Sequence, residues 1–110
     1  MYRGTTPTLP IRVLGADIHL AKVYLTIEDM RTGRQITLTA PGDFTVAWDA
    51  ELQATVGDVT LTQEQTLSLK AGGCWAQVRW VFPDGAAGAT VRRTITVEDV
   101  ILKDVITYAE

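Results

Sequence analysis

Apolar and polar residues alternate with a period of two in short segments along the whole chain, and turn residues separate the segments. This period is typical of half-buried β-strands, in which successive side chains point to opposite faces. The clearest case is the run 74–82, which turns through Pro83-Asp84-Gly85 and continues over 90–97 as a hairpin. The same rule predicts further strands over residues 8–14, 23–27, 36–40, 44–48 and 55–61. Pro10 makes the first of these an edge strand.

One segment departs from the pattern. Thr62 and Gln65 have the spacing of a capping box, which predicts a short helical connector near residues 62–68. Six to eight short strands with one such connector predict an all-β fold, an antiparallel two-sheet immunoglobulin-like sandwich, with an open barrel as the alternative. We expect a single domain over residues 1–98, and a C-terminal strand or docking arm over 99–110.

The alternation divides the 74–82 strand into two faces. Trp75, Gln77 and Arg79 fall on the face that is predicted to point outward. An indole beside a guanidinium is typical of an interface anchor, so contact with a partner is one interpretation of Trp75. Cover by the chain's own tail and stacking against a sugar are the two others. The opposite face is predicted to be core, and it carries Cys74, Ala76, Val78, Trp80 and Phe82.

Composition narrows the classes of partner. The formal net charge is -3 and the ten basic residues are scattered, which disfavours nucleic acid and membrane surfaces. Hydrophobic residues make up 46% of the chain, a high share for one small domain, so some apolar surface is expected to meet a partner. The N-terminus lacks the apolar core of a signal peptide, and we expect the protein to fold in a reducing cytoplasm.

Candidate chemistry is sparse. The chain has one histidine, His19, one serine, Ser68, and one cysteine, Cys74, and none has an evident catalytic partner. One histidine and one cysteine do not make a zinc site, and no calcium-loop motif occurs. The sequence therefore predicts no catalytic residue, no cofactor and no metal, and a protein that is not an enzyme.

Three stretches of the chain carry a resemblance. They are Met-Tyr-Arg-Gly-Thr-Thr-Pro-Thr at 1–8, Val-Thr-Leu-Thr-Gln-Glu-Gln-Thr-Leu at 59–67, and Ile-Leu-Lys-Asp-Val-Ile at 101–106. Together they resemble small proteins encoded among the structural genes of tailed phages and prophages of Firmicutes-type bacteria. The strand pattern is also distantly similar to the N-terminal domain of phage baseplate upper proteins. Val105 departs from the pattern, because a glycine is common there.

The resemblance implies a non-enzymatic virion or virion-assembly component of the tail or baseplate, present in the host bacterial cytoplasm during assembly or in the virion. Its implied partners are other phage structural proteins, and it would suit a homo-oligomer. The alternative function, which rests on the three tryptophans, is a carbohydrate-binding module for host cell-wall glycans. The residues predicted to form the interface are Trp75, Gln77, Arg79, Tyr2, Ile101 and Tyr108.

Overall fold

A computed structural model describes residues 1–108 of the chain. The strands within that range are β1 (Thr8–Leu14), β2 (Lys22–Asp29), β3 (Gln35–Ala40), β4 (Val46–Asp49), β5 (Ala54–Thr60), β6 (Gly72–Val81), β7 (Ala87–Ala89) and β8 (Arg93–Val97), and the helix is α1 (Gln63–Ser68). Every predicted strand is present. The largest difference concerns the last one, predicted over 90–97: β8 begins only at Arg93, and a further short strand, β7, precedes it within the predicted connection.

The strands form two antiparallel sheets. One sheet has the order β1-β5-β4, and the other has the order β3-β2-β6, with β7 and β8 following one another along the remaining edge of β6. No strand ladder joins the two sheets within residues 1–108, so the fold is a sandwich and the open barrel is excluded. The core lies between the sheets, and its most deeply buried hydrophobic side chains are Ile18, Val23, Ile27, Val59, Leu61, Leu69 and Cys74.

The connectivity is that of an immunoglobulin-like sandwich. The central strand β5 pairs with β1 and β4, as strand E pairs with B and D, and β6 pairs with β2 and the β7/β8 edge, as strand F pairs with C and G. In the described range no strand takes the place of strand A beside β1. The edge of β1 that faces away from β5 is therefore open.

The helix α1 connects the two sheets, and its start is set by local chemistry. Thr62 Oγ1 accepts a hydrogen bond from the Gln65 N–H at 3.1 Å, and Gln65 Oε1 accepts one from the Thr62 N–H at 2.8 Å. This reciprocal pair confirms the predicted capping box. Leu69, directly after the helix, is fully buried and closes this end of the core.

The N-terminal segment is part of the domain. Tyr2 forms a parallel bridge with Glu98, and the Arg3 N–H donates to the Glu98 carbonyl at 2.9 Å. Further along, the Leu61 N–H donates to the Pro7 carbonyl at 3.0 Å. Residues 1–3 thus extend the β8 edge, and Pro7 already lies beside the end of β5 before the chain enters β1.

The buried carboxylate of Asp29 connects the end of β2 to neighbouring segments through hydrogen bonds. Asp29 is 2% exposed, and it accepts hydrogen bonds from the N–H groups of Arg31 and Lys70, each at 2.8 Å. Burial by itself raises the pKa of Asp29, but the N–H donors of Lys70, Arg31 and Thr32 outweigh it and lower that pKa. The carboxylate therefore stays charged while it joins the β2–β3 turn to the segment before β6.

Candidate functional site

The outer face of β6 carries the three residues that the alternation assigned to it. Trp75, Gln77 and Arg79 lie in register with β2, opposite Glu28, Thr26 and Tyr24. On the inner face of the same strand, Cys74 and Val78 are buried, whereas Ala76 and Trp80 are partly buried and pack against the core. Burial raises the pKa of the Cys74 thiol, and the negative charge of Asp29 raises it further, so this cysteine is an unreactive core residue.

Trp75 is stacked by an arginine that the sequence did not point to. The Arg92 guanidinium lies over the indole at 4.4 Å from the ring centroid. Arg92 belongs to the interruption between β7 and β8, which brings it back over the sheet. A stacked guanidinium keeps its N–H donors available at the edges, so the pair presents both an apolar and a charged surface.

The Gln77 side chain stabilises the interruption between β7 and β8. Its side-chain amide donates to the Thr90 carbonyl at 2.8 Å, and the Thr90 N–H donates to the Val78 carbonyl at 2.9 Å. Because the Thr90 carbonyl is taken by a side chain, the backbone ladder stops there and resumes at Arg93. The amide of Gln77 is thus occupied within the chain and holds the segment that carries Arg92.

Arg79 is exposed and lies at a shallow hollow of about 380 Å³ on the same face. Tyr24, Thr26 and Thr37 line the hollow with it. The Lys22 ammonium lies 5.6 Å from the centroid of the Tyr24 ring. This part of the outer face is therefore polar and positively charged.

The other predicted interface residues belong to the terminal segments. Tyr2 is 54% exposed, and its hydrogen bond with Glu98 and the charge of that carboxylate raise its pKa. Ile101 and Tyr108 are fully exposed. The structure therefore brings Trp75, Gln77 and Arg79 together on one strand. It places Tyr2, Ile101 and Tyr108 outside the strand ladders of β6.

The segment 99–108, which we call the arm, has no strand or helix. Asp99 contacts Arg3 Nη1 at 3.0 Å and Lys103 Nζ at 2.9 Å. Hydrogen bonds from the Lys103 side chain and the Val100 N–H, together with Arg3, lower the pKa of Asp99 to about 2. Further on, the Gln63 side-chain amide donates to the Ile106 carbonyl at 2.9 Å and accepts from the Ile106 N–H at 2.8 Å. The predicted arm over 99–110 is described only as far as Tyr108.

A groove of about 700 Å³ runs along the open edge of the sandwich, between β1 and the β7/β8 edge. Leu25, Val78 and Trp80 lie at its base, while Arg12 and Arg93 are exposed beside it. The Trp80 ring lies over Gly88, where a Cβ would come within 2.5 Å of the indole. Sequence reasoning missed this groove, although Pro10 correctly indicated that β1 is an edge strand.

Other site types find little support in the described part of the chain. His19 contacts Asp17 in the exposed loop before β2, and this contact lowers the pKa of Asp17. Across residues 1–108 no group of three His, Cys, Asp or Glu side chains is placed to hold a metal ion. None of the helical segments in that range is long and apolar enough to cross a membrane.

No protein-family model matches the chain, and no curated protein matches it at a significant level.

Proposed function

We propose that the protein is a non-enzymatic structural or assembly component of a phage or prophage particle, in the tail or baseplate, and that it works through protein–protein contacts. The resemblance of residues 1–8, 59–67 and 101–106 to small phage and prophage proteins motivates this proposal. One structural observation carries it further. The three stretches, which are far apart in sequence, are joined by hydrogen bonds at one end of the sandwich.

The N-terminal and middle stretches are connected by several hydrogen bonds. Arg3 Nη2 donates to the Leu67 carbonyl at 2.8 Å, and Thr66 Oγ1 donates to the Thr5 carbonyl at 2.9 Å. The Leu61 N–H reaches the Pro7 carbonyl, as described above. The two stretches that carry the resemblance therefore lie side by side at one end of the sandwich.

The third stretch joins them through the arm. Gln63 of the middle stretch forms both of its hydrogen bonds with Ile106. Several apolar side chains of the arm are nevertheless exposed, and they are Ile101, Leu102, Val105, Ile106 and Tyr108. Covering apolar surface stabilises a complex by about 25 cal/mol per Å². Apolar exposure concentrated in one terminal segment is typical of a docking element.

The test is the composition of the particle. Particles induced from a bacterial strain that encodes the chain would be purified on a density gradient and analysed by mass spectrometry. We expect the chain to be present in the particles or in assembly intermediates, and we expect deletion of its gene to give incomplete tails. Expression from a plasmid should restore them. Normal particles from the deletion strain, with the chain absent from wild-type particles and intermediates, would contradict the proposal.

The glycan-binding alternative needs an aromatic face that a sugar ring can stack against. The Arg92 guanidinium already covers one face of Trp75, which favours the protein-contact proposal. Retention of the purified protein on cell walls, and its loss in Trp75→Ala, would support the alternative. Tyr24→Ala is a suitable control, since Tyr24 lies on the same sheet face away from this stack.

A further inference from the structure

We propose that the arm of one copy of the chain adds as a strand to the open edge of β1 in a second copy, with its apolar side chains in the groove. This inference rests on the assembly role proposed above and names a second copy of the chain as a partner. Four observations support it: the unpaired edge of β1, the groove beside it, the residue pattern of the arm, and the way the arm is held in its own chain.

The edge of β1 offers unused backbone groups. At its two ends, the Pro7 carbonyl accepts from Leu61 and the Gly15 N–H donates to Gln53, so the odd-numbered residues are directed toward β5 and its turn. Since hydrogen-bonding direction alternates along a strand, the even-numbered residues of β1 are directed away from β5. Within the described range none of their N–H groups has a partner. These free donors belong to Thr8, Arg12 and Leu14, because Pro10 has no N–H.

The groove beside this edge suits an apolar strand. Its base is formed by core side chains of the larger sheet, Leu25, Val78 and Trp80. Arg12 and Arg93 are exposed along its two sides and make its rim positive. Added strands obtain affinity from backbone hydrogen bonds and specificity from alternate side chains that enter such a groove.

The arm has the matching pattern. In an extended conformation its even-numbered residues share one face, and they are Val100, Leu102, Asp104, Ile106 and Tyr108. This face is apolar except for Asp104, whose charge is opposite to that of the arginines along the groove. β1 has seven residues and is about 23 Å long at the usual rise of a strand, and residues 100–108 are long enough to cover it.

The arm's own contacts favour a second copy over the same chain. Gln63 and Arg3 hold the arm near α1, so the groove of its own chain stays open. The arm also leaves β8 at the end of the sandwich where β1 begins. Folding back along β1 would make it a parallel strand, whereas the arm of another copy can approach antiparallel, which is the more stable pairing.

The test measures the mass of the full-length chain by light scattering as a function of concentration. We expect concentration-dependent oligomers. The variant Leu102→Asp/Ile106→Asp should raise the dissociation constant by about tenfold or more, because an unpaired carboxylate resists burial in an apolar groove. The matched variant Ile101→Asp/Val105→Asp places the same charges on the other face of the arm and should associate nearly as well.

A second pair of variants tests the edge. Arg12→Pro removes an N–H that is directed away from β5, so the β1–β5 ladder should remain while the added strand loses a donor. We expect weaker association than in Arg12→Ala, which keeps the N–H and loses only the charge. Circular dichroism and thermal unfolding would confirm that each variant is folded.

A monomeric parent at concentrations up to about 1 mM would overturn the inference. An equal rise of the dissociation constant in the two double aspartate variants of the arm would also overturn it. Slow amide exchange in the arm of a monomeric parent would indicate that the arm inserts into its own groove. That result would also contradict docking on a second copy. These results are independent of the particle experiment: a monomer that is present in particles refutes only the self-assembly, and an oligomer that is absent from particles refutes only the proposed function.

Discussion

The two terminal segments lie at the same end of the molecule but are bound to it very differently. The N-terminal segment makes backbone hydrogen bonds with Glu98, and Arg3 is only 8% exposed. The arm makes no ladder, is held mainly through Gln63 and Asp99, and exposes most of its apolar side chains. Ordering a segment requires contacts that outweigh its conformational entropy, and the first segment has far more of them. One terminus therefore completes the domain, and the other is available to a partner.

The largest expected effect comes from Arg3→Ala. This change removes the hydrogen bonds to Asp99 and to the Leu67 carbonyl, and it should lower the free energy of unfolding by about 2–3 kcal/mol in urea denaturation. The control is Arg31→Ala, because Arg31 is exposed and its side chain makes no hydrogen bond in the described range. Equal stability of the two variants would show that the N-terminal segment is no better attached than the arm.

A smaller effect is expected from Thr66→Val. The buried hydroxyl donates to the Thr5 carbonyl, and its loss should cost about 1 kcal/mol and speed amide exchange in residues 4–6. Ser68→Ala is the matched control, since the Ser68 hydroxyl bonds only within the helix, to the Gln65 carbonyl. If exchange in residues 4–6 rises equally in both variants, the Thr66 contact does not hold the segment.

Gln63→Ala tests the attachment of the arm. Global stability should change by less than about 0.5 kcal/mol, because the contact is exposed, while amide exchange at Ile106 should become faster. The released arm should also associate more readily with a second copy. Glu64→Ala, in the same turn of α1, should leave exchange at Ile106 unchanged. A large loss of stability in Gln63→Ala would mean that the arm is an integral part of the domain.

The smallest effect concerns pH. The folded-state pKa of Asp99 is lowered from 3.8 to about 2, so its contribution to stability is present above 3.8 and is lost as the pH falls through about 2. We expect the Val100 and Lys103 amide resonances to move toward those of a free segment over that window in NMR spectra. Asp99→Asn should abolish the transition, and its persistence in that variant would assign it to another group.

Local chemistry predicted a large part of the fold. The capping box around Thr62 and the alternation along β6 depend on neighbouring residues, so both can be predicted from the sequence. The interruption between β7 and β8 is different, because it was not predicted. It depends on the Gln77 amide bonding Thr90, thirteen residues away, and no periodicity encodes that contact.

The same distinction applies to the candidate site. The period of two placed Trp75, Gln77 and Arg79 on one face, but it did not indicate that Arg92 stacks on Trp75. Pro10 predicted that β1 is an edge strand. The groove, however, exists only because β1 faces the β7/β8 edge across the sandwich.

The sequence by itself determined the strands, the helix start and the two faces of β6, because these follow from side-chain period and hydrogen bonds between near neighbours. Only the tertiary structure decided that the first segment is bound along β8, that the arm keeps its apolar side chains exposed, and that a groove opens beside β1. Each of these depends on residues distant in sequence that meet only when the two sheets pack, and their contacts decide which terminus is bound and which is available.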